Sequence, residues 1–357
     1  MFRVKIDLPL FVGLLILSAA SLLILYSAGG ENMRLLFNQS VRMVVAFAVM
    51  IIFAQIRPDS WFRWSPYIFS IGLLMLVLVL LIGYTGKGAQ RWLDLGVFRF
   101  QPAELMKIGV PMMVAWVLTL RPLPPNNLTL FYAAIVLLLP AALILKQPDL
   151  GTTIMIFASG TVIIFLAGFS WRSIGAMALI GGVSAPFMWQ MLHDYQRRRI
   201  LTLFDPWSDP LGDGYHSIQS MIAIGSGGIQ GKGWGAGSQS QLEFIPERHT
   251  DFIFSVFSEE FGFIGVLLLF ALYIAITGRG LYIAYYTKDT YSRLLAGSLS
   301  MTFFFYVFVN IGMVAGILPV VGVPLPLISY GGTSMVTIMA GFGILMGIHN
   351  HRSLMSR

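Results

Sequence analysis

The sequence predicts an all-α integral membrane protein, a single polytopic membrane domain over 1–357 built as a bundle of about ten transmembrane helices. One long extracytoplasmic loop, about 193–250, is expected between helices 7 and 8. Three observations predict this. Hydrophobic residues make up 57% of the chain and charged residues only 11%, with a mean hydropathy of +0.78, a composition suited to lipid rather than water. Apolar runs of spanning length recur along the whole chain, and the charges that remain fall between them.

The runs lie at about 8–28, 41–56, 66–83, 102–120, 129–145, 151–168, 172–192, 252–277, 293–317 and 333–348. The first follows Arg3 and Lys5 and is long enough to span, so it reads as a retained helix, with a cleaved signal peptide as the alternative. Pro102 suits the first turn of the fourth, and Glu104 there complements the helix dipole. Within the long loop, residues 215–224 read as a short amphipathic helix at the interface. Placing the N-terminus in the cytoplasm puts Arg57, Arg63, Arg121, Arg172, Arg279, Lys288, Arg293, Arg352 and Arg357 on that side, as the positive-inside rule prefers. Both termini are then cytoplasmic. The formal charge of +7 is accounted for by this topology, and the absence of any long basic run argues against nucleic acid as a partner. With no cysteine, neither disulfides nor thiolate chemistry is available.

Polar residues concentrate in four places, all on the expected outer side. Between helices 3 and 4 stand Lys87, Arg91, Trp92, Asp94, Arg99 and Gln101, followed by Glu104 and Lys107, three apart on one helical face. An ionisable pair inside a span faces protein or a cavity, and the plain reading is a buried structural ion pair. Lys146, Gln147, Pro148 and Asp149 join helices 5 and 6. The stretch EFIPERHTDFIFSVFSEEFG, 243–262, holds Glu243, Arg248, His249 and Asp251 at the mouth of helix 8, and Asp251, Ser255, Ser258 and Gly262 are expected to share a face that lines a water-filled cavity. The plain alternative makes Thr250 or Asp251 a helix cap and pairs Glu259 and Glu260 structurally. The prolines of 317–339 forbid regular helix, and Ser329, Tyr330, Gly331 and Gly332 then open the last span, either as an anion-binding helix start or as a simple turn. In the long loop, GSGGIQGKGWG places glycines around Lys232, where backbone amides could cradle phosphate or form a flexible lid.

The ordered set KGAQRWLDLG with FQPAELMK, then KQPDLGT, EFIPERHTDFIFSVFSEEFG and GVPLPLISYGGTS on about ten spans closely resembles the SEDS family over essentially the whole chain. It resembles the rod-shape branch most, although the division branch shares overlapping signatures. The resemblance implies a peptidoglycan glycosyltransferase of the bacterial cytoplasmic membrane that polymerises lipid II on the outer face. Its partners would be undecaprenyl diphosphate-linked glycan, a class B penicillin-binding protein and the elongation complex. It puts the essential aspartate at Asp251, a second acidic position at Glu243, and a helix-4 Glu and Lys at Glu104 and Lys107.

The residues suit that chemistry. A sugar hydroxyl attacking an anomeric carbon needs a base, whereas a diphosphate leaving group needs positive charge but no proton. Asp251 is the expected base, with Glu243 as the second catalytic carboxylate. The charge would come from Lys87, Arg91, Lys107, Lys146, Arg197, Arg198, Arg199, Lys232 and Arg248, or from a divalent cation, Mg or Mn; no metal ligands are assigned. Gln101, Glu104, Asp149, His249, Ser255, Ser258, Ser329 and Gly331 complete the expected substrate-binding set. A lipid-precursor flippase would instead need polar residues through the full membrane depth, and a non-catalytic scaffold would not need Asp251 at all.

Overall fold

The structure is a computed structural model that describes residues 6–86, 89–94, 96, 99–168, 194–212, 214–242, 244–245 and 247–352, with isolated positions between 175 and 190. Six helices come first: α1 (Leu8–Ala28), α2 (Met33–Ala54), α3 (Pro58–Ile82), α4 (Pro102–Thr119), α5 (Asn127–Lys146) and α6 (Leu150–Leu166). The long loop carries α7 (Asp194–Phe204), α8 (Tyr215–Ser226) and the short α9 (Ser238–Gln241), and the chain ends in α10 (Ile253–Tyr286), α11 (Thr290–Val314) and α12 (Thr333–Arg352). Nine of the ten expected spans are helices among the described residues. Seven of these are long and apolar enough to cross a membrane. This is a multi-pass membrane protein. The expected span 172–192 lies outside the described residues except for isolated positions.

Several helices are longer than their apolar runs. Asn32 caps α2 by accepting from the Arg34 and Leu35 amides, so α2 starts well before residue 41 and includes Gln39 and Arg42. Pro58 opens α3, and Pro66, expected at a helix start, sits inside it. Hydropathy sees the lipid-facing part of such helices, whereas caps decide where they begin. Between α3 and α4 the chain forms a small antiparallel sheet of β1 (Tyr84–Gly86), β2 (Ala89–Asp94) and β3 (Arg99–Phe100) in the order β1-β2-β3, an addition to the helical fold that hydropathy did not signal. The amphipathic helix expected at 215–224 is α8, but it packs into the bundle: Ser220 is fully buried and its hydroxyl donates to the Val314 carbonyl at 2.8 Å.

The first turns of α10 break at Gly262, whose φ of 63° and ψ of −166° no other residue adopts readily. The glycine-rich segment supplies what the break removes. Phe263 and Ile264 amides donate to Gly228 and Ile229 carbonyls at 2.9 and 3.1 Å, while Lys232 and Gly233 amides donate to Glu259 and Glu260 carbonyls at 3.0 Å each. Backbone lies directly on backbone here, and a Cβ on Gly231 would sit 2.1 Å from the Glu260 carbonyl oxygen.

At the far end of the bundle, Asp7 caps α1 and takes Arg279 of α10 at 2.6 Å and the His349 ring of α12 at 3.4 Å. Asp7 at the start of α1 and His349 near the end of α12 therefore lie at the opposite end from Asp251.

Candidate active site

The segment 317–332 enters the bundle without forming a helix, with Leu325, Leu327 and Ile328 buried. Irregular backbone survives at such depth only when its polar groups find partners. Four helices provide them. Asn310 of α11 donates to the Val323 carbonyl at 2.7 Å, Tyr273 of α10 to Pro326 at 2.8 Å, Ser21 of α1 to Ile328 at 3.0 Å and Gln39 of α2 to Ser329 at 3.3 Å.

This segment is laced to the turn that precedes α10. The Ser329 hydroxyl donates to the Thr250 carbonyl at 2.6 Å and accepts from the Leu325 amide at 2.8 Å, and the Tyr330 amide donates to the His249 carbonyl at 2.8 Å. The Tyr330 ring is flanked by His249, edge-on at 6.0 Å, and by the Arg42 guanidinium at 4.5 Å. Asn310, fully buried, also donates to the Asp251 carbonyl at 2.9 Å, so one amide group holds both sides of the junction. The Asp251 side chain is half-buried and faces Gly322, where a Cβ would lie 3.4 Å from its Oδ2. A Cβ on Gly331, next to Tyr330, would meet nothing within 4 Å.

The other polar clusters reach this junction through two contacts. Gly151, at the start of α6, packs on Val321 and Val323, closely enough that a Cβ would be 2.7 Å from the Val321 carbonyl oxygen. The preceding Asp149 caps α6 by accepting from Thr152 and also accepts from Gln101 at 3.0 Å. Arg91 ties the small sheet to the same corner, donating to the Gln147 carbonyl at 3.1 Å and to the Pro148 carbonyl, 3.9 Å from Asp149. The second contact is α11 itself. Tyr306 lies one turn below Asn310 on the same face, about 6 Å deeper, and Lys107 sits over its ring at 5.3 Å. Lys107 pairs with Glu104 at 2.6 Å, both nearly fully buried. Glu104 Oε2 and Asn310 Oδ1 have no hydrogen-bond partner within the protein, which marks this interior as polar and not fully self-satisfied.

Other expected site residues are placed differently. Ser255 and Ser258 are buried and donate to the Phe252 and Phe254 carbonyls at 2.6 and 2.7 Å. With α10 starting at Ile253 and breaking at Gly262, no continuous polar face descends from Asp251. Lys232 donates to Glu259 at 2.7 Å and to Ser238 at 2.8 Å, and its amide is taken by the Glu259 carbonyl, so the glycine segment holds α10 rather than presenting free amides to a phosphate. Glu259 collects Lys232, Ser238 and the Gln239 amide, and Glu260 accepts from Ser27, the structural role that the plain reading gave them. Lys146 is exposed at the end of α5, and Arg248 is half-buried at the rim of a separate hollow. Lys87 and Glu243 lie outside the described residues. Asn310, Gln39, Arg42, Ser21 and Tyr273 escaped sequence reading; the available signal was a lone polar residue inside an apolar span.

Among the described residues no three carboxylate or imidazole groups come together. A divalent cation at Asp251 would therefore draw most of its ligands from a diphosphate and water, the manner in which Mg2+ binds.

Residues 1–354 match the FtsW/RodA/SpoVE family model, whose members are termed cell cycle proteins. The chain belongs to this family. It is 49% identical to the peptidoglycan glycosyltransferase MrdB of Escherichia coli (strain K12), over 99% of this chain and 96% of that one. Identity to the probable peptidoglycan glycosyltransferase FtsW of Escherichia coli O6:H1 is 36%, over 94% and 82% respectively. The crystal structure of the Thermus thermophilus rod shape determining protein RodA aligns with a TM-score of 0.74 at 29% identity, covering 97% of each chain. A chain from the structure of a peptidoglycan synthase complex that coordinates polymerization and crosslinking aligns at 0.84 and 32% identity, covering 98% of this chain and 99% of that one. The family expected from the four ordered motifs is thus the family found.

Proposed function

We propose that this protein is a peptidoglycan glycosyltransferase that polymerises lipid II for cell elongation, with Asp251 as the general base. The acceptor sugar hydroxyl attacks the anomeric carbon of a polyprenyl diphosphate-linked glycan and passes its proton to Asp251. The bond from that carbon to the diphosphate breaks, and the diphosphate leaves with the electron pair. One observation carries the reading: the half-buried carboxylate of Asp251 stands at the single junction where the 317–332 segment, the α6 start and the Asn310 face of α11 converge. A preorganised backbone around one carboxylate fixes a base within reach of a bound hydroxyl. Arg91, 3.9 Å from Asp149 at the same corner, supplies positive charge that favours the diphosphate.

The reading includes a topology. Asp7 and His349 are at the end opposite Asp251, so the cytoplasmic placement of that end favoured by Arg57, Arg63, Arg121 and Arg279 puts the active site on the outer face of the bacterial cytoplasmic membrane. Partners are lipid II and a class B penicillin-binding protein, consistent with the likeness to a chain of a peptidoglycan synthase complex. The partner's outer domain and single span bias the long loop that leads into α10, and through it the Asp251 turn.

Purified protein in nanodiscs, given lipid II and a gel for glycan strands, tests the base. Asp251→Asn and Asp251→Ala are expected to lower polymerisation by about 10²–10⁴-fold while folding normally. Wild-type polymer from either variant, with moenomycin present to silence contaminating transglycosylases, refutes the assignment and favours the scaffold.

A further inference from the structure

Beside the catalytic junction, at the same end of the bundle, lies a separate hollow of about 470 Å³. Tyr26, Ser27, Glu31, Trp234, Gln241 and Arg248 line it. Its walls come from the end of α1, the glycine-rich segment that clamps α10, and the turn three residues before Asp251. Nothing in the base chemistry uses it.

Its chemistry is distinctive. Trp234 stacks on Tyr26 with ring centroids 5.7 Å apart and 22° between planes, and its indole N–H is fixed on the Leu23 carbonyl at 3.0 Å. One face is thereby covered and the ring is held rigid, yet Trp234 remains 51% exposed. A rigid open indole next to polar groups is a platform for the apolar face of a sugar ring, with the polar groups free to take its hydroxyls. Glu31 and Gln241, both exposed, are the polar groups on this rim; the Gln241 amide nitrogen already donates to the Gly235 carbonyl, which leaves Glu31 and the Gln241 amide oxygen for hydroxyls. Glu31 is also held in the left-handed region, φ 61°, with its amide donated to the Tyr26 carbonyl at 2.9 Å. That bond closes the turn that ends α1 and fixes where the Glu31 side chain starts. Arg248 supplies positive charge at the wall nearest Asp251.

The geometry points to a glycan subsite: the hollow holds N-acetylhexosamine units of the growing strand, on the aqueous side of the reacting sugar and clear of its polyprenyl anchor. This rests on the glycosyltransferase reading and names where the product strand lies. Anchored diphosphates stay at the bilayer surface, and a sugar-binding platform beside the last turns of α1, continuing past its end to Glu31, suits the unanchored part of the polymer. Holding that part lengthens the residence of the strand between additions.

The test is saturation-transfer-difference NMR of chitohexaose with the full chain in nanodiscs. The wild type is expected to show saturable transfer to the sugar ring and acetyl protons, competed by released glycan strands and not by inorganic pyrophosphate. Trp234→Ala is expected to weaken binding at least fivefold and Trp234→Phe less than about twofold. Because Trp234→Ala also removes a stacking contact and a hydrogen bond, Glu31→Gly serves as the second variant. Glycine adopts φ 61° without strain, so a loss of binding there reports the carboxylate. Asp251→Asn should bind chitohexaose as the wild type does. No transfer in the wild type at millimolar sugar, equal binding by Trp234→Ala and Glu31→Gly, or displacement by pyrophosphate overturns the subsite. An active Asp251→Asn overturns the base instead and leaves the subsite standing.

Discussion

Removing Lys107 alone is expected to damage the protein more than removing Lys107 and Glu104 together. The two side chains are 2.6 Å apart, 8% and 7% exposed, and lie inside α4. Their attraction is offset by the desolvation of both charges, so the intact pair adds little net stability. Lys107→Met changes that balance, because it leaves the Glu104 carboxylate buried with one oxygen already lacking a hydrogen-bond partner. An uncompensated buried charge costs about 3–5 kcal/mol, a factor of roughly 10²–10³·⁵ in the folded population. The double variant Glu104→Met with Lys107→Met removes both charges at similar volume and is expected within about 1–2 kcal/mol of the wild type. The coupling energy should then be at least about 2 kcal/mol, above the range of independent sites. Thermal unfolding of the four proteins in nanodiscs, with polymerisation measured on the same preparations, provides the cycle. Single and double variants equally destabilised refute the uncompensated-charge reasoning. A double variant that is stable but makes no glycan shows that the pair acts on substrate.

Asn310→Leu keeps the volume of a buried side chain but strands the Asp251 and Val323 carbonyls; we expect a loss of about 2–4 kcal/mol and a fall in kcat, and wild-type values for both would show that Asn310 does not set the junction. Gly262→Ala puts a Cβ 2.2 Å from the Gly231 amide nitrogen at φ 63°, so the expected outcome is little folded protein by size-exclusion chromatography; a normal monodisperse yield would mean that the break is not required. For Asp7, burial pushes the carboxyl up, but hydrogen bonds from Arg279 and the Leu10 amide and the charges of Arg279 and His349 outweigh it, so the group is held below its ordinary 3.8. A lowered folded-state value stabilises above the unfolded pKa and is lost as pH falls through the folded one. Asp7→Asn should therefore trail the wild type in Tm above pH 5, with the gap closing below pH about 4; a gap that widens as pH falls below 4 would reverse the sign.

Much of the scaffold was written in local composition. Apolar runs alone located nine helices that the structure describes, because lipid demands about twenty apolar residues wherever a helix crosses. Motif order and residue type also marked Asp251, Glu104 with Lys107, Asp149 and Ser329 as belonging to one region. The caps at Asn32 and Pro58 show the first limit: helix starts depend on a hydrogen bond or a fixed φ, which a hydropathy window averages away.

The larger limit is partnership. Lys232 beside glycines reads as part of a phosphate cradle or of a flexible lid, and only the fold brings the buried Glu259 to it as a counter-ion. Ser255 and Ser258 look like a polar stripe until their hydroxyls are seen returned to their own helix. Conversely Asn310, Tyr273, Ser21 and Gln39 look like stray polar residues in four unrelated spans, yet together they hold the irregular 317–332 segment that packs against the Asp251 turn. Composition along the chain is enough to show which stretches live in lipid and which side chains carry charge. Which of those charges are already neutralised, and which stand at the junction, emerges only on folding, because a hydrogen bond joins groups within about 3 Å in space whatever their separation along the chain.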